Sequence, residues 1–136
     1  MPLVFGLLLL FFTVLGENTV LQVIEEISGF NELDLYVLRG IVTAKRNEME
    51  SVATLDEFGL KGKFDDFQKR YMVLPEDAKR FIDKLFEYGA WALSWSPSKA
   101  NWDRLKSEFQ NKISKSSCST LLEEFPELKK RDICIV

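Results

Sequence analysis

Histidine is absent from the 136 residues of this chain, and only two cysteines are present. Without histidine, the chain lacks the general base of Ser-His-Asp and Cys-His catalysis and the most common side-chain ligand of metals. Two cysteines alone do not complete a closed structural zinc site. No pair of carboxylates has an identifiable catalytic placement, so a carboxylate-based enzyme is a minor alternative. The sequence predicts a protein that is not an enzyme and that needs neither a metal nor a cofactor.

Alternating polar and apolar stretches, long basic runs and Asn-x-Ser/Thr sequons are also missing. The lack of alternation argues against a β-sheet. The net charge is −3 and unevenly distributed, but no run is basic enough for nucleic acid, so we expect no nucleic-acid partner. Without a sequon, N-glycosylation is not expected.

The first 16 residues, MPLVFGLLLLFFTVLG, carry no charged side chain. This stretch is shorter than the ~20 apolar residues that span a bilayer. Val14 and Gly16 supply the small residues that precede a signal-peptidase site. We therefore expect a signal peptide at 1–16 and a secreted, extracellular domain at 17–136. The alternative is an uncleaved membrane anchor.

The two cysteines, Cys118 and Cys134, both fall in this expected mature domain. A secreted context permits a disulfide bond between them. The bond would close a loop of moderate length and stabilise the fold by ~3 kcal/mol. The alternative is a pair of free thiols.

Residues 74–89, LPEDAKRFIDKLFEYG, carry the clearest helical pattern. Pro75 suits the first helical position, and Glu76 and Asp77 follow in the first turn, where carboxylates meet the positive end of the helix dipole. Apolar residues then recur at helical spacing, which predicts an amphipathic helix central to the fold. This stripe comprises Ala78, Phe81, Ile82, Leu85, Phe86 and Gly89.

Two helices are predicted before this central one. Apolar residues at helical spacing across 20–27 indicate the first, which Gly29 ends as a C-terminal cap. Asn31 caps the second, which we expect to run to about Glu50. Its unusually wide apolar band suggests contact on two sides, as a helix central to the bundle or as one that also faces a lipid cavity.

Capping boxes at 54–57 (TLDE) and 120–123 (TLLE) predict two further helix starts, and Gly62 is expected to break the first of these helices. The small polar residues 114–119 predict a loop. Ser96 and Pro97 are expected to open a helix that continues through NWDRLKSEFQNKI.

Aromatic residues complete the pattern. Phe64, Phe67 and Tyr71 are spaced along one face of a short helix that ends before Pro75.

The sequence as a whole predicts an all-α fold, a compact bundle of about six short helices with an internal apolar cavity.

Three segments resemble the nematode fatty acid and retinol binding proteins. They are LPEDAKRFIDKLF at 74–86, NWDRLKSEFQNKI at 101–113 and LLEEFPELKK at 121–130, in the family's order and spacing. The resemblance covers about the last half of the chain. It implies an all-helical secreted carrier that shields a fatty acid or retinol from water. The chain departs from the family in its cysteine pair and in a shorter segment between 54 and 74.

The resemblance implies that the apolar stripes form a ligand site. The expected cavity wall comprises Phe81, Ile82, Leu85, Phe86, Trp102, Leu105 and Phe109. The expected head-group contacts are Lys79, Arg80 and Lys84. The apolar residues would equally suit a closed core, and the three basic residues would equally suit a solvated face.

The expected partner is a small hydrophobic ligand, a fatty acid or retinol, with transient membrane contact compatible with that role. The alternative is a secreted helical interaction protein, effector-like and without a lipid ligand. In that case Trp91 and Trp95 would form the exposed contact surface.

Overall fold

The computed structural model describes residues 18–43, 48–94 and 97–134. The expected signal peptide, its cleavage site and Trp95 lie outside the described residues. Within them, the chain forms seven α-helices and two 3₁₀ segments and no strand. The elements are α1 Thr19–Ser28, α2 Glu32–Thr43, α3 Glu48–Glu57, α4 Lys61–Met72, α5 Glu76–Ala92, a 3₁₀ segment Pro97–Lys99, α6 Trp102–Phe109, α7 Lys115–Glu124 and a 3₁₀ segment Pro126–Arg131. The all-α prediction is confirmed.

Helix α5 is the centre of the bundle, as its apolar stripe predicts. It packs against α1, α6 and α7. Pro75 is the N-cap of α5 rather than its first helical residue, and its extended backbone leads into Glu76 and Asp77. The fully buried side chains of this core come from α1, α5, α6, α7, the final 3₁₀ segment and two residues between elements, Phe30 and Phe125. The largest of them are Tyr88, Phe30, Phe81, Phe125, Ile24, Ile27, Ile82, Leu85, Leu105, Leu121 and Leu128.

The predicted long second helix is wrong, because α2 ends at Thr43 and a separate α3 begins at Glu48. Residues 54–57 form the last turn of α3, so the capping box there does not open a helix. Gly59 ends α3 with a left-handed backbone, φ 70°. The N–H of Leu60 then donates to the Leu55 carbonyl at 2.8 Å, which closes a Schellman-type cap. Gly62 lies inside α4 and breaks nothing.

The predicted loop at 114–119 is also wrong. Ser114 is the N-cap of α7, and its hydroxyl accepts the Ser117 N–H at 3.2 Å. Thr120, the expected cap, lies inside the helix, where its hydroxyl donates to the Ser116 carbonyl at 3.2 Å. The cap at Ser114 depends on Asp77 of α5, whose carboxylate accepts the Ser114 N–H at 3.0 Å. That contact joins residues 37 apart in sequence, so no local motif could reveal it.

Asn101, not Ser96 or Pro97, caps the α-helix that follows the central one. Its side chain accepts the Arg104 N–H at 3.0 Å at the start of α6, whereas Pro97 begins a short 3₁₀ segment. Helix α6 ends at Phe109. Ile113, the last residue of the segment through which this helix was expected to continue, therefore lies beyond the helix.

Candidate ligand-binding groove

Most of the expected cavity-wall residues meet in the core between α5 and α6. Phe81, Ile82, Leu85 and Leu105 are buried, and Trp102 is nearly so. The Phe81 ring contacts Phe109 edge-on at 5.5 Å between centroids and Trp102 at 6.4 Å. These contacts join the stripes of α5 and α6 side by side, as their spacing predicts. A role for these residues as a ligand wall stays a prediction.

Phe86, the remaining expected wall residue, faces a different neighbour. Its ring lies 5.2 Å from that of Phe67 on α4, between centroids. Phe67 in turn contacts Phe125 at 5.7 Å and Tyr71 at 6.2 Å. The predicted wall is therefore divided between two aromatic groups, one toward α6 and one toward α4.

The expected head-group lysines contact partners close to them in sequence or on α4. Lys79 pairs with Glu76 at 3.7 Å and lies 5.7 Å from the Tyr71 ring. Lys84 pairs with Glu87 at 3.2 Å and lies 5.8 Å from the Trp91 ring. The third, Arg80, is exposed. Their role as head-group contacts stays a prediction.

A half-open cavity of about 620 Å³ lies elsewhere, between α6, α7 and the end of the chain. We call it the C-terminal groove. Of the expected wall residues, Phe109 contributes to its lining. The lining comprises Asp103, Lys106, Ser107, Phe109, Gln110, Asn111, Ile113, Lys115, Cys118, Asp132, Ile133 and Cys134.

The groove forms because the chain turns sharply between α6 and α7. Asn111 adopts a left-handed backbone, φ 66°, two residues after α6 ends. Asn tolerates this conformation better than most residues. The chain then passes Ile113 and enters α7 at Ser114. The sequence offered one signal for this turn, an Asn two residues after Phe109, the last apolar residue of α6.

The end of the chain forms one wall of the groove. The predicted disulfide, which is confirmed, holds this wall against α7. Cys118 on α7 bonds to Cys134, with the two Cα atoms 6.0 Å apart. The bond brings Ile133 and Cys134 against the groove, and Ile133 also packs against the main core. Spacing alone could not place this wall, because the path of the tail depends on the 3₁₀ segment before it.

Ion pairs fix the end of that 3₁₀ segment to α1. The Arg131 guanidinium donates to both carboxylate oxygens of Glu26, and Lys130 lies 3.3 Å from the same carboxylate. Burial raises the pKa of Glu26, but the hydrogen bonds and charges of Arg131 and Lys130 outweigh it, and the pKa lies below its usual value. The contact anchors the chain directly before the residues that line the groove.

A second polar contact positions α6. The Tyr88 hydroxyl on α5 donates to the Glu108 carboxylate at 2.9 Å. Burial, then the hydrogen bond to Glu108, and then the Glu108 charge raise the pKa of the Tyr88 hydroxyl. The phenol therefore stays neutral and serves as a donor.

The lining of the groove combines apolar and charged side chains. Phe109, Ile113 and Ile133 are half-buried and supply the apolar part. In the charged part, Lys106 pairs with Asp103 at 3.7 Å. This arrangement suits a ligand with an apolar body and a polar end, and it offers no nucleophile activated by a base.

Across the described residues, no cluster of Cys, Asp or Glu could hold a metal ion. No described helix has the length and apolar character to cross a membrane. Comparison of the chain with protein-family models, curated proteins and solved structures finds no match.

Proposed function

We propose that this protein is a secreted carrier that binds a fatty acid or retinol, one molecule at a time, in the C-terminal groove. The observation that carries the proposal is the groove itself. Its volume of about 620 Å³ falls within the ~300–1,000 Å³ of sites that bind small molecules. The disulfide in its wall is consistent with an extracellular protein.

The proposed mechanism is physical rather than chemical. Each ligand methylene buried on Phe109, Ile113 and Ile133 would stabilise the complex by about 0.8 kcal/mol, less the cost of ordering the ligand. Because the groove is half-open, a polar head would remain in contact with water at the rim. The ligand could therefore enter and leave without unfolding of the bundle.

The residues of the α5 stripe offer a second location for the ligand. A ligand between α5 and α6 would have to separate Phe81 from Phe109, whose rings are in contact. A ligand in the C-terminal groove displaces no buried side chain. We therefore favour the groove.

Fluorescence titration tests the proposal. A fatty acid carrying an environment-sensitive fluorophore should brighten on binding, and oleate or retinol should displace it. Ile133→Asp should weaken binding strongly, because a carboxylate would then face the apolar tail. Leu33→Asp is the matched control, since Leu33 is 72% exposed on α2. Circular dichroism confirms that each variant is helical.

Phe86→Asp separates the two locations. If the ligand lies in the C-terminal groove, a folded Phe86→Asp variant should bind as the wild type does. If this variant loses binding while Ile133→Asp keeps it, the site lies on the α5 stripe instead. A folded wild type that takes up neither fatty acid nor retinol would contradict the carrier function.

The second candidate function is that of a secreted interaction protein without a lipid ligand. Large apolar side chains that the structure leaves exposed favour it. They are Leu33, Tyr36, Phe58, Met72 and Val73. Trp91 fits this role less well than expected, because its half-buried ring packs 4.8 Å from that of Tyr88.

A further inference from the structure

The Cys118–Cys134 disulfide is itself part of the lining of the C-terminal groove. Cys118 is buried on α7, whereas Cys134 is half-buried. A thiol that opens a disulfide must reach one of its two sulfur atoms, so the rate of opening depends on access. The half-open groove gives this access from the side of Cys134. A ligand in the groove would cover the same bond.

On one side of the bond, contacts other than the disulfide hold α7 in place. The Ser114 N–H at the start of the helix donates to the Asp77 carboxylate of α5 at 3.0 Å. Leu121, one turn after Cys118, is fully buried. Helix α7 therefore keeps its position when the disulfide opens.

On the other side, contacts other than the disulfide hold the last 3₁₀ segment. Leu128 is fully buried, and the Arg131 guanidinium donates to both carboxylate oxygens of Glu26 on α1. Residues 132–134 follow this anchored segment directly. Opening of the disulfide therefore acts on residues 132–134 rather than on the bundle.

Residues 132–134 form one wall of the groove, and all three line it. Ile133 is one of its three half-buried apolar side chains. Asp132 is exposed and adopts a left-handed backbone, φ 55°, a conformation that persists where the surrounding structure imposes it. Opening of the disulfide removes one such constraint, so the chain can turn away from the groove at Asp132.

We propose that the Cys118–Cys134 disulfide is a redox switch for ligand affinity. With the bond intact, Ile133 lies against the apolar chain of the ligand. With the bond reduced, this wall moves away and the ligand is held less tightly. The inference rests on the proposed carrier function and adds its regulation: the ligand is carried in oxidising surroundings and released in reducing ones.

The reductant belongs to the class of dithiols, or is a pair of monothiols. Its thiolate attacks the Cys134 sulfur, the S–S bond breaks, and Cys118 leaves as a thiolate that takes up a proton. The second thiol of the reductant then displaces Cys134 from the mixed disulfide. Two electrons and two protons pass to the cysteines, and the reductant becomes a disulfide.

Titration with a fluorescent fatty acid compares oxidised wild type with wild type reduced by dithiothreitol. Reduction should weaken binding roughly tenfold, the loss expected when about two ligand methylenes lose contact with Ile133. Reoxidation should restore the affinity. Because coupling between two equilibria is reciprocal, saturating oleate should raise the ratio of reduced to oxidised dithiothreitol that half-reduces the protein, again roughly tenfold.

Two variants serve as controls. The double variant Cys118→Ser, Cys134→Ser should bind as reduced wild type does, with or without dithiothreitol, which excludes an effect of the reductant on the probe. Ile24→Ala destabilises the bundle at α1, outside the groove, and keeps the disulfide. Its folded, oxidised form should bind as the oxidised wild type does. Circular dichroism measures the helicity of every sample.

Four results would overturn the switch. Equal affinity of oxidised and reduced wild type would do so and leave the carrier function standing. Loss of helicity on reduction would show that the disulfide holds the whole bundle rather than one wall. Weakened binding by folded, oxidised Ile24→Ala would show that affinity follows global stability. Absence of binding by oxidised, folded wild type would contradict the carrier function, and the switch with it.

Discussion

The interface of α1 with α5 and the side of the molecule around α7 are held together in different ways. On α1, Val20, Val23, Ile24 and Ile27 are fully buried, and α1 lies close to Gly89 of α5. Around α7, the chain is fixed by the Asp77 contact to Ser114, by ion pairs and by a disulfide. The first region is packed, and the second encloses a groove. The second region also packs Leu121 and Leu128 into the core, and polar and covalent contacts fix the chain beside the groove in addition to this packing.

The largest effect is expected in the packed region. Ile24→Ala should destabilise the protein by about 2–5 kcal/mol, because it removes a fully buried side chain and leaves a cavity. Chemical denaturation measures the loss. The exposed residue Leu33 supplies the control, since Leu33→Ala should change the free energy of unfolding by less than about 0.5 kcal/mol. Equal losses at the two positions would mean that α1 does not pack as described.

Removal of the disulfide should cost about 3 kcal/mol, the value for a loop of ~15 residues. The double variant Cys118→Ala, Cys134→Ala is compared with the wild type by denaturation without reductant. Because Ile133 and Cys134 line the groove, the variant should also lose affinity for a fluorescent fatty acid.

Hydrogen exchange shows where the loss of the disulfide acts. Amides of α7 and the last 3₁₀ segment should lose protection by more than the global free energy of unfolding falls. Amides of α1 should lose protection only by as much as that global free energy falls. Loss of protection that is uniform across both regions would show that the disulfide does not act locally on α7.

Glycine substitutions test how closely α1 approaches α5. A Cβ at Gly89 would overlap the Ile24 Cδ1 methyl, so Gly89→Ala should cost ~1–3 kcal/mol for overpacking, offset by ~1 kcal/mol of helix propensity. Gly62→Ala on α4 meets no atom within 4 Å and should stabilise the protein by roughly 0.5–1 kcal/mol. Thermal unfolding should therefore shift in opposite directions. Stabilisation by both substitutions would show that α1 and α5 lie farther apart at Gly89 than described.

The same two regions differ in how far the sequence predicts them. The α5 stripe places Phe81 and Leu85 in the core because helical periodicity determines which face is buried. The groove was not predicted, because it depends on contacts between distant residues. Asp77 accepts the Ser114 N–H at the start of α7 across 37 positions of sequence, and Glu26 accepts from Arg131 across 105 positions. Local sequence patterns do not indicate contacts between residues so far apart in the chain.

The smallest effect is expected at the carboxylate that fixes the start of α7. Hydrogen bonds from the Ser117 hydroxyl and then from the Ser114 N–H hold the pKa of Asp77 below its usual value. A folded-state pKa below the unfolded value, about 3.9, contributes stability above pH ~4, and this stability is lost as the pH falls through the folded pKa. Because Asp77 is partly exposed, the contribution is limited to about 1 kcal/mol.

Asp77→Asn should therefore lower the free energy of unfolding at pH 7 by up to about 1 kcal/mol, and the difference from the wild type should shrink below pH ~4. Glu76→Gln is the matched control, since Glu76 is exposed in the same helical turn and contacts Lys79 at 3.7 Å rather than α7. The free energy of unfolding of Glu76→Gln should differ little from that of the wild type at every pH, because an exposed ion pair contributes little. Urea denaturation at a series of pH values measures both variants. If Asp77→Asn and Glu76→Gln depend on pH in the same way, the Asp77 contact is not what holds α7 beside the groove.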